Sequence, residues 1–128
     1  MKPLNLPATT STPLVNFDDS TSDLELRGES YPENAFEFYK PILAWLRAHL
    51  ASGPGPVVFR VRVKYMNTSS VKCMMDVLDA LEDAHKQGTD VAVYWYYDED
   101  NDRALDMAEE FREELTLPFH LVAEPAQR

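Results

Sequence analysis

The chain is poor in the residues that most often carry chemistry. Its 128 residues include one cysteine, three histidines and four glycines. A single thiol cannot close an internal disulfide, which fits a reducing cytoplasm better than secretion. Cys73 has no histidine beside it, and a thiol nucleophile needs a base within reach, so it reads as a small helix-packing residue. His49, His85 and His120 lie far apart in sequence, and none has a ligand at i+4, so zinc has no local support. The glycines are scattered at turns and build no phosphate-cradling loop. No apolar run approaches the roughly 18 residues of a membrane helix. Met1 to Pro13 lacks an apolar secretory core, so the reading is a cytoplasmic chain without membrane insertion. Basic residues are also short, 12 Lys and Arg against 22 Asp and Glu, for a net charge of −10. That balance speaks against a nucleic-acid binder, which needs clustered cations.

Acid is plentiful, and one run merits a metal test. Asp98, Asp100, Asp102 and Glu109 match positions 1, 3, 5 and 12 of a calcium loop. Arg103 stands where that loop needs glycine, and a strand pattern precedes Asp98 instead of a helix. The run reads as a solvated helix start, with acids favoured by the helix dipole. No cofactor, metal or catalytic set is expected.

What remains is patterning. Met1 to Ser11 reads as a loose arm. Thr12 to Phe17 and Leu24 to Arg27 read as a hairpin, with Pro13 at an edge or strand start, Asp18 to Asp23 as the turn and Gly28 as the stop. Ser30 fits an N-cap, with Pro32 in the first turn and Glu33 three residues on. Phe36, Tyr39, Leu43, Leu46 and Leu50 then form a helical stripe. Pro41 predicts a kink or restart, and Gly53 to Pro56 a stop. From Phe59 onward the chain alternates: Phe59, Val61, Val63 and Tyr65 face inward; Arg60, Arg62 and Lys64 face out. A strand with one polar face belongs to a sheet with one side open. A second amphipathic helix runs from Ser69 to about Gln87, and Gly88 suits its C′ position. Asp90 to Tyr97 is another strand, the helix after Asp102 runs to about Leu115, and Phe119 to Ala123 is a last strand before a frayed tail. The order is β-β-α-β-α-β-α-β. It implies one α/β domain over 1–128, a mixed sheet with three helices on one face. The stripe Arg60, Arg62, Lys64, with Tyr94 and Tyr96 beside it, suits either a solvated face or a protein interface.

The candidate site is the strand-to-helix corner Asn67-Thr68-Ser69-Ser70. Asn67, Thr68 or Ser69 can cap the helix, worth ~0.5–2 kcal/mol. One cap does not use three hydroxyls. A phosphate placed here meets free N–H groups and the positive end of the dipole. A small anion or nucleotide bound at the same helix start is the alternative, with the chain as a binding or scaffold module.

Ser30-Tyr31-Pro32-Glu33-Asn34, Tyr65 to Lys72, Trp95-Tyr96-Tyr97-Asp98, Ala108-Glu109-Glu110-Phe111 and Pro118-Phe119 follow in order at compatible spacing. Together they resemble the SiaC family of bacterial regulatory phosphoproteins. Pro41 and Cys73 depart from the family's pattern. The resemblance implies a fold like the STAS domains of anti-sigma-factor antagonists and a non-enzymatic role. It implies phosphorylation of Thr68 by a SiaB-like kinase and dephosphorylation by a SiaA-like PP2C phosphatase. It also implies that the unmodified form activates a SiaD-like diguanylate cyclase, in c-di-GMP signalling that promotes biofilm formation. Tyr31, Glu33, Asn34, Asn67, Ser69, Ser70 and Lys72 are the residues expected to face partners.

Overall fold

The computed structural model describes residues 2–18, 20–21, 23–53 and 55–125. Its elements are β1 (Leu4–Leu6), β2 (Leu14–Phe17), β3 (Asp23–Ser30), α1 (Ala35–Ala51), β4 (Val57–Met66), α2 (Thr68–Lys86), β5 (Val91–Asp98), α3 (Asp102–Glu113) and β6 (Phe119–Glu124). The six strands lie in the sheet in chain order. β1, β2 and β3 pair antiparallel; β3 to β6 pair parallel. Parallel neighbours need crossovers, and α1, α2 and α3 supply them on one face. The expected α/β order holds, with one strand more than the sequence suggests.

That strand is a correction. Leu4–Leu6 is not a loose arm but pairs with Val15 to Phe17. Leu4 and Leu6 rest on the core, and the Trp45 indole N–H donates to the Lys2 carbonyl at 2.7 Å. Parts of other expectations lie outside the described residues: Asp19 and Ser22 of the hairpin turn, Pro54 of the helix stop, and the tail 126–128.

The core forms between the helices and one face of the sheet. Phe59, Val61 and Val63 of β4 and Val91, Val93 and Trp95 of β5 are buried there. Leu24 and Leu26 join from β3, Met74, Val77, Leu78 and Leu81 from α2. Cys73 is buried among them, as its helix-packing reading requires.

The α1 stripe is rotated from the expected one. Ala35, Tyr39, Ile42 and Leu46 are buried, while Phe36 is 64% exposed. Pro41 lies inside one unbroken 17-residue helix, so the predicted restart does not occur. Gly28 does not end β3 either. It adopts φ +130 inside the strand, which runs to Ser30. The pairing slips there: Gly28 faces Val63, but Glu29 faces Tyr65. Lys64 is the extra residue of a β-bulge, and a bulge reverses the faces beyond it. Tyr65 therefore turns outward, at 53% exposed, and Met66 turns into the core.

The open face is covered by its own side chains. Arg60 ion-pairs with Asp23 at 3.7 Å and donates to the Tyr96 hydroxyl at 2.7 Å. Arg62 reaches Glu25 at 3.3 Å and Glu124 at 3.4 Å, with its guanidinium 3.7 Å from the centre of the Tyr96 ring. Tyr94 stacks on His120 at 4.6 Å. Arg60 and Arg62 are thus neutralised and half-covered, while Lys64 is exposed, which favours the solvated-face reading.

Candidate functional site

The parallel strands β3, β4 and β5 end at one edge, and each hands over to a helix there. Three helix N-termini therefore share that edge, each with free N–H groups and the positive end of a dipole. Asparagine caps all three. Asn34 accepts from Glu37 N at 3.1 Å, Asn67 from Ser70 N at 2.9 Å, and Asn101 from Ala104 N at 3.0 Å. The first turns differ in charge: Glu37 sits in that of α1 and Asp102 in that of α3, but α2 has no acid there. In a chain of net charge −10, the α2 start is left uncompensated.

Ser30 is not the α1 cap. Tyr31 precedes a proline, which disfavours helical backbone, so β3 stays extended and the helix waits for Asn34. Ser30 instead ends β3 fully buried. Its Oγ lies 2.8 Å from the Tyr39 hydroxyl and donates to Ser70 Oγ at 2.8 Å. Ser70 is also fully buried, and Tyr39 is 3% exposed. Burial pushes the Tyr39 phenol up to about 12, against the opposing pull of its Ser30 bond. The segment Ser30 to Pro32 holds the corner by its backbone too. Asn67 N donates to the Ser30 carbonyl at 2.9 Å, and Asn67 Nδ2 donates to the Pro32 carbonyl at 3.3 Å.

The corner's hydroxyls are now distinguishable. Asn67 does the capping. Ser70 is locked inside the protein. Thr68 and Ser69, the first two residues of α2, are exposed, and among the described residues neither side chain hydrogen-bonds to the protein. Lys72 is exposed one turn after Thr68, on the same helix face. Of the other expected partner-facing residues, Tyr31, Glu33 and Asn34 are exposed and Asn67 is half-buried.

Three large apolar side chains are exposed among the described residues: Tyr31 at 41%, Phe36 at 64% and Tyr65 at 53%. Tyr31 and Tyr65 flank the α2 start, and Phe36 lies in the first turn of α1, facing α2 at Cys73 and Asp76. Tyr31 and Tyr65 meet edge-to-face, ring centres 6.0 Å apart. Phe36 walls a groove of about 220 Å3 between α1 and α2, with Tyr39, Leu43 and Cys73. The periodicity in sequence assigns Phe36 and Tyr65 to the core, so reading it alone misses them. Two serines in two separate motifs, Ser30 and Ser70, were the available sign that the motifs meet.

Burial, and then Asp76, push the Cys73 thiol up, which keeps it protonated and poorly nucleophilic. Among the described residues no cluster of His, Cys, Asp and Glu could hold a metal ion. No helix there is long and apolar enough to cross a membrane.

The sequence model of the SiaC family regulatory phosphoproteins matches residues 6–124. The chain belongs to that family. It is 43% identical over 123 residues to an uncharacterized protein of Pseudomonas aeruginosa (strain UCBPP-PA14), covering 96% of this chain and 98% of that one. Solved SiaC of P. aeruginosa superposes with a TM-score of 0.91 at 42% identity, covering 97% of this chain and all of the other. A second match is to the crystal structure of the diguanylate cyclase SiaD in complex with its activator SiaC, also from P. aeruginosa. It has a TM-score of 0.92 at 43% identity and covers 94% of this chain and 99% of that one. The family is one of regulatory phosphoproteins. An exposed helix start with exposed aromatics beside it suits such a protein.

Proposed function

We propose that this chain is a partner-switching regulator in which phosphorylation of Thr68 decides whether a diguanylate cyclase resembling SiaD is bound and activated. A SiaB-like kinase adds the phosphate and a SiaA-like PP2C phosphatase removes it. In the forward step Thr68 Oγ1 attacks the γ-phosphorus of ATP on the kinase. The bond to the β–γ bridging oxygen breaks, ADP leaves, and the hydroxyl proton passes to a base on the kinase. In the reverse step water attacks phosphorus, Thr68 leaves as the alcohol, and inorganic phosphate is released.

The observation that carries this reading is the exposed, unbonded Thr68 hydroxyl at a helix start without acid. The folded protein tolerates a dianion there, since the dipole end stabilises a negative charge by ~0.3–1 kcal/mol. A partner packed over Tyr31, Tyr65 and Phe36, with Glu33, Asn34, Asn67, Ser69 and Lys72 around them, does not. It must strip water from the phosphate, and the effective penalty for an ion is several kcal/mol. At about 1.4 kcal/mol per decade, affinity falls roughly 100-fold or more. Ser70 leaves the partner-facing set because it is buried.

The test measures binding and cyclase stimulation with Thr68→Ala, Thr68→Asp and protein phosphorylated at Thr68. Thr68→Ala should bind and activate; the phosphorylated protein should do neither, with Thr68→Asp intermediate or inactive. Equal binding by the alanine variant and the phosphorylated form sinks the reading.

A further inference from the structure

The hydroxyl chain behind the corner has a purpose that stability alone does not explain. Tyr39, Ser30 and Ser70 come from α1, the end of β3 and the first turn of α2. They meet in a site where Ser30 and Ser70 have no exposed surface and Tyr39 has 3%. Because Ser30 donates to Ser70, it accepts from Tyr39, so the chain runs in one direction from phenol to helix. Replacing both partners of a buried hydrogen bond by apolar groups of similar shape is close to neutral. An alanine–alanine–phenylalanine set would therefore fill this space at little cost. Buried hydroxyls add direction: a satisfied polar network holds its members in one arrangement.

The member held is the first turn of α2. Side chains on a helix advance by about 100° per residue. With Ser70 anchored inward, Ser69 projects about 100° to the side and Thr68 about 160° from Ser70, close to straight out. Anchoring one serine thus fixes which hydroxyl stands farthest from the body. The bonds that Asn67 N and Nδ2 donate to the Ser30 and Pro32 carbonyls hold the same turn from its other end.

We infer that Tyr39, Ser30 and Ser70 are positioning residues that select the phosphate acceptor, presenting Thr68 to the kinase and turning the neighbouring Ser69 aside. This rests on the corner being the phosphorylated site. It adds that selection between adjacent hydroxyls is made by a buried network that the kinase never touches. Tyr39→Phe removes the first donor and keeps the ring; Ser70→Ala removes the anchor itself. Both leave the Asn67 cap and the exposed hydroxyls in place.

The experiment expresses wild type, Tyr39→Phe and Ser70→Ala in the protein's own cells. Purification is done with EDTA, which disables metal-dependent phosphatases. Phosphate on Thr68 and Ser69 is measured by peptide mass spectrometry, with a thermal melt of each protein. The wild type should carry phosphate on Thr68 at least 10-fold over Ser69. In the folded variants the ratio should drop about 5-fold or more, a change that simple loss of stability does not produce. An unchanged ratio in Tyr39→Phe, whose ring packing guards against misfolding, overturns the selection role even if Ser70→Ala is unstable. A wild type with phosphate nowhere on the corner overturns the proposed function, and this inference falls with it. A Thr68-phosphorylated wild type with unaltered variants overturns this inference alone.

Discussion

The far end of α2 offers a sharp test of what holds the switch helix in place. Glu82 is 6% exposed and makes no contact with the corner. Its Oε1 accepts from Thr116 N and Leu117 N at 2.9 Å each, and Oε2 accepts from Thr116 Oγ1 at 2.7 Å. The carboxylate thus ties α2 to the turn before β6. Glu82→Leu leaves two backbone N–H groups without that acceptor. Leu117 is buried and water cannot replace the lost bond, at about 1–3 kcal/mol; exposed Thr116 loses less. The sum is roughly 2–4 kcal/mol, or a melting temperature lower by about 10 °C in a chain of this size. Glu82→Gln keeps an oxygen for both N–H groups but loses the charge and the acceptor of the Thr116 hydroxyl, whose place is taken by an NH2 that can only donate, so about 1 kcal/mol is expected. Burial pushes the Glu82 carboxyl up, but the bonds from Thr116 and Leu117, with Lys86, outweigh it and leave it below its ordinary value. A lowered folded value means stability that is present above the unfolded value and lost as pH falls through the folded one. Thermal melts at neutral and acid pH therefore read the difference between wild type and Glu82→Gln. It should be full at neutral pH and vanish below the folded value. A pH-independent difference, or a leucine variant as stable as the glutamine one, would refute the reasoning.

Two other perturbations address the switch surface. Phe36→Ser and Tyr65→Ser remove exposed aromatics, so melting temperature should stay within about 2 °C while cyclase binding weakens 10-fold or more, since aromatics dominate interfaces; a pull-down with unchanged affinity counts against this surface. Gly28→Ala forces a side chain onto φ +130, with its Cβ 3.4 Å from Pro13 Cα. It should cost more than about 1 kcal/mol by chemical denaturation, because that backbone is nearly restricted to glycine; wild-type stability would contradict the strain.

The layout was legible where local pattern and tertiary demand agree. Alternation from Phe59 to Val63 gave both the core face and the open face, because a half-buried strand repeats every two residues. The pattern misled at Tyr65, because the bulge that flips it arises in pairing with Gly28, 37 positions away. The α1 start was ambiguous for a local reason: Ser30 with Glu33 and Asn34 with Glu37 both have capping-box spacing. Pro32 decides between them through the residue before it. β1 was invisible because Leu-Asn-Leu is too short to carry a period, and its tether to Trp45 is 43 residues distant. At the corner, the residues alone offered three hydroxyls and an asparagine with no means of dividing labour among them, and only the family resemblance singled out Thr68. That division depends on Ser30, from another motif, reaching Ser70.

The same comparison explains why the corner suits a switch. A cap that used Thr68 itself would tie its hydroxyl to the helix, and phosphorylation would have to break the cap. Asn67 takes that duty, so modifying Thr68 costs the fold no hydrogen bond. The clasp from Ser30 and Tyr39 holds α2 from the buried side and does not depend on Thr68. On the proposed function, phosphorylation of Thr68 therefore leaves this packing in place. What would change is the charge at a helix start flanked by Tyr31 and Tyr65. On that proposal the regulator transmits its state by what its surface permits, and discrimination comes from the cost to the partner of desolvating the phosphate. Such a switch should lose part of its contrast when Thr68 carries a single, smaller charge. Thr68→Glu should reproduce only part of the loss seen with phosphate, and its cyclase binding should lie between those of Thr68→Ala and the phosphorylated protein.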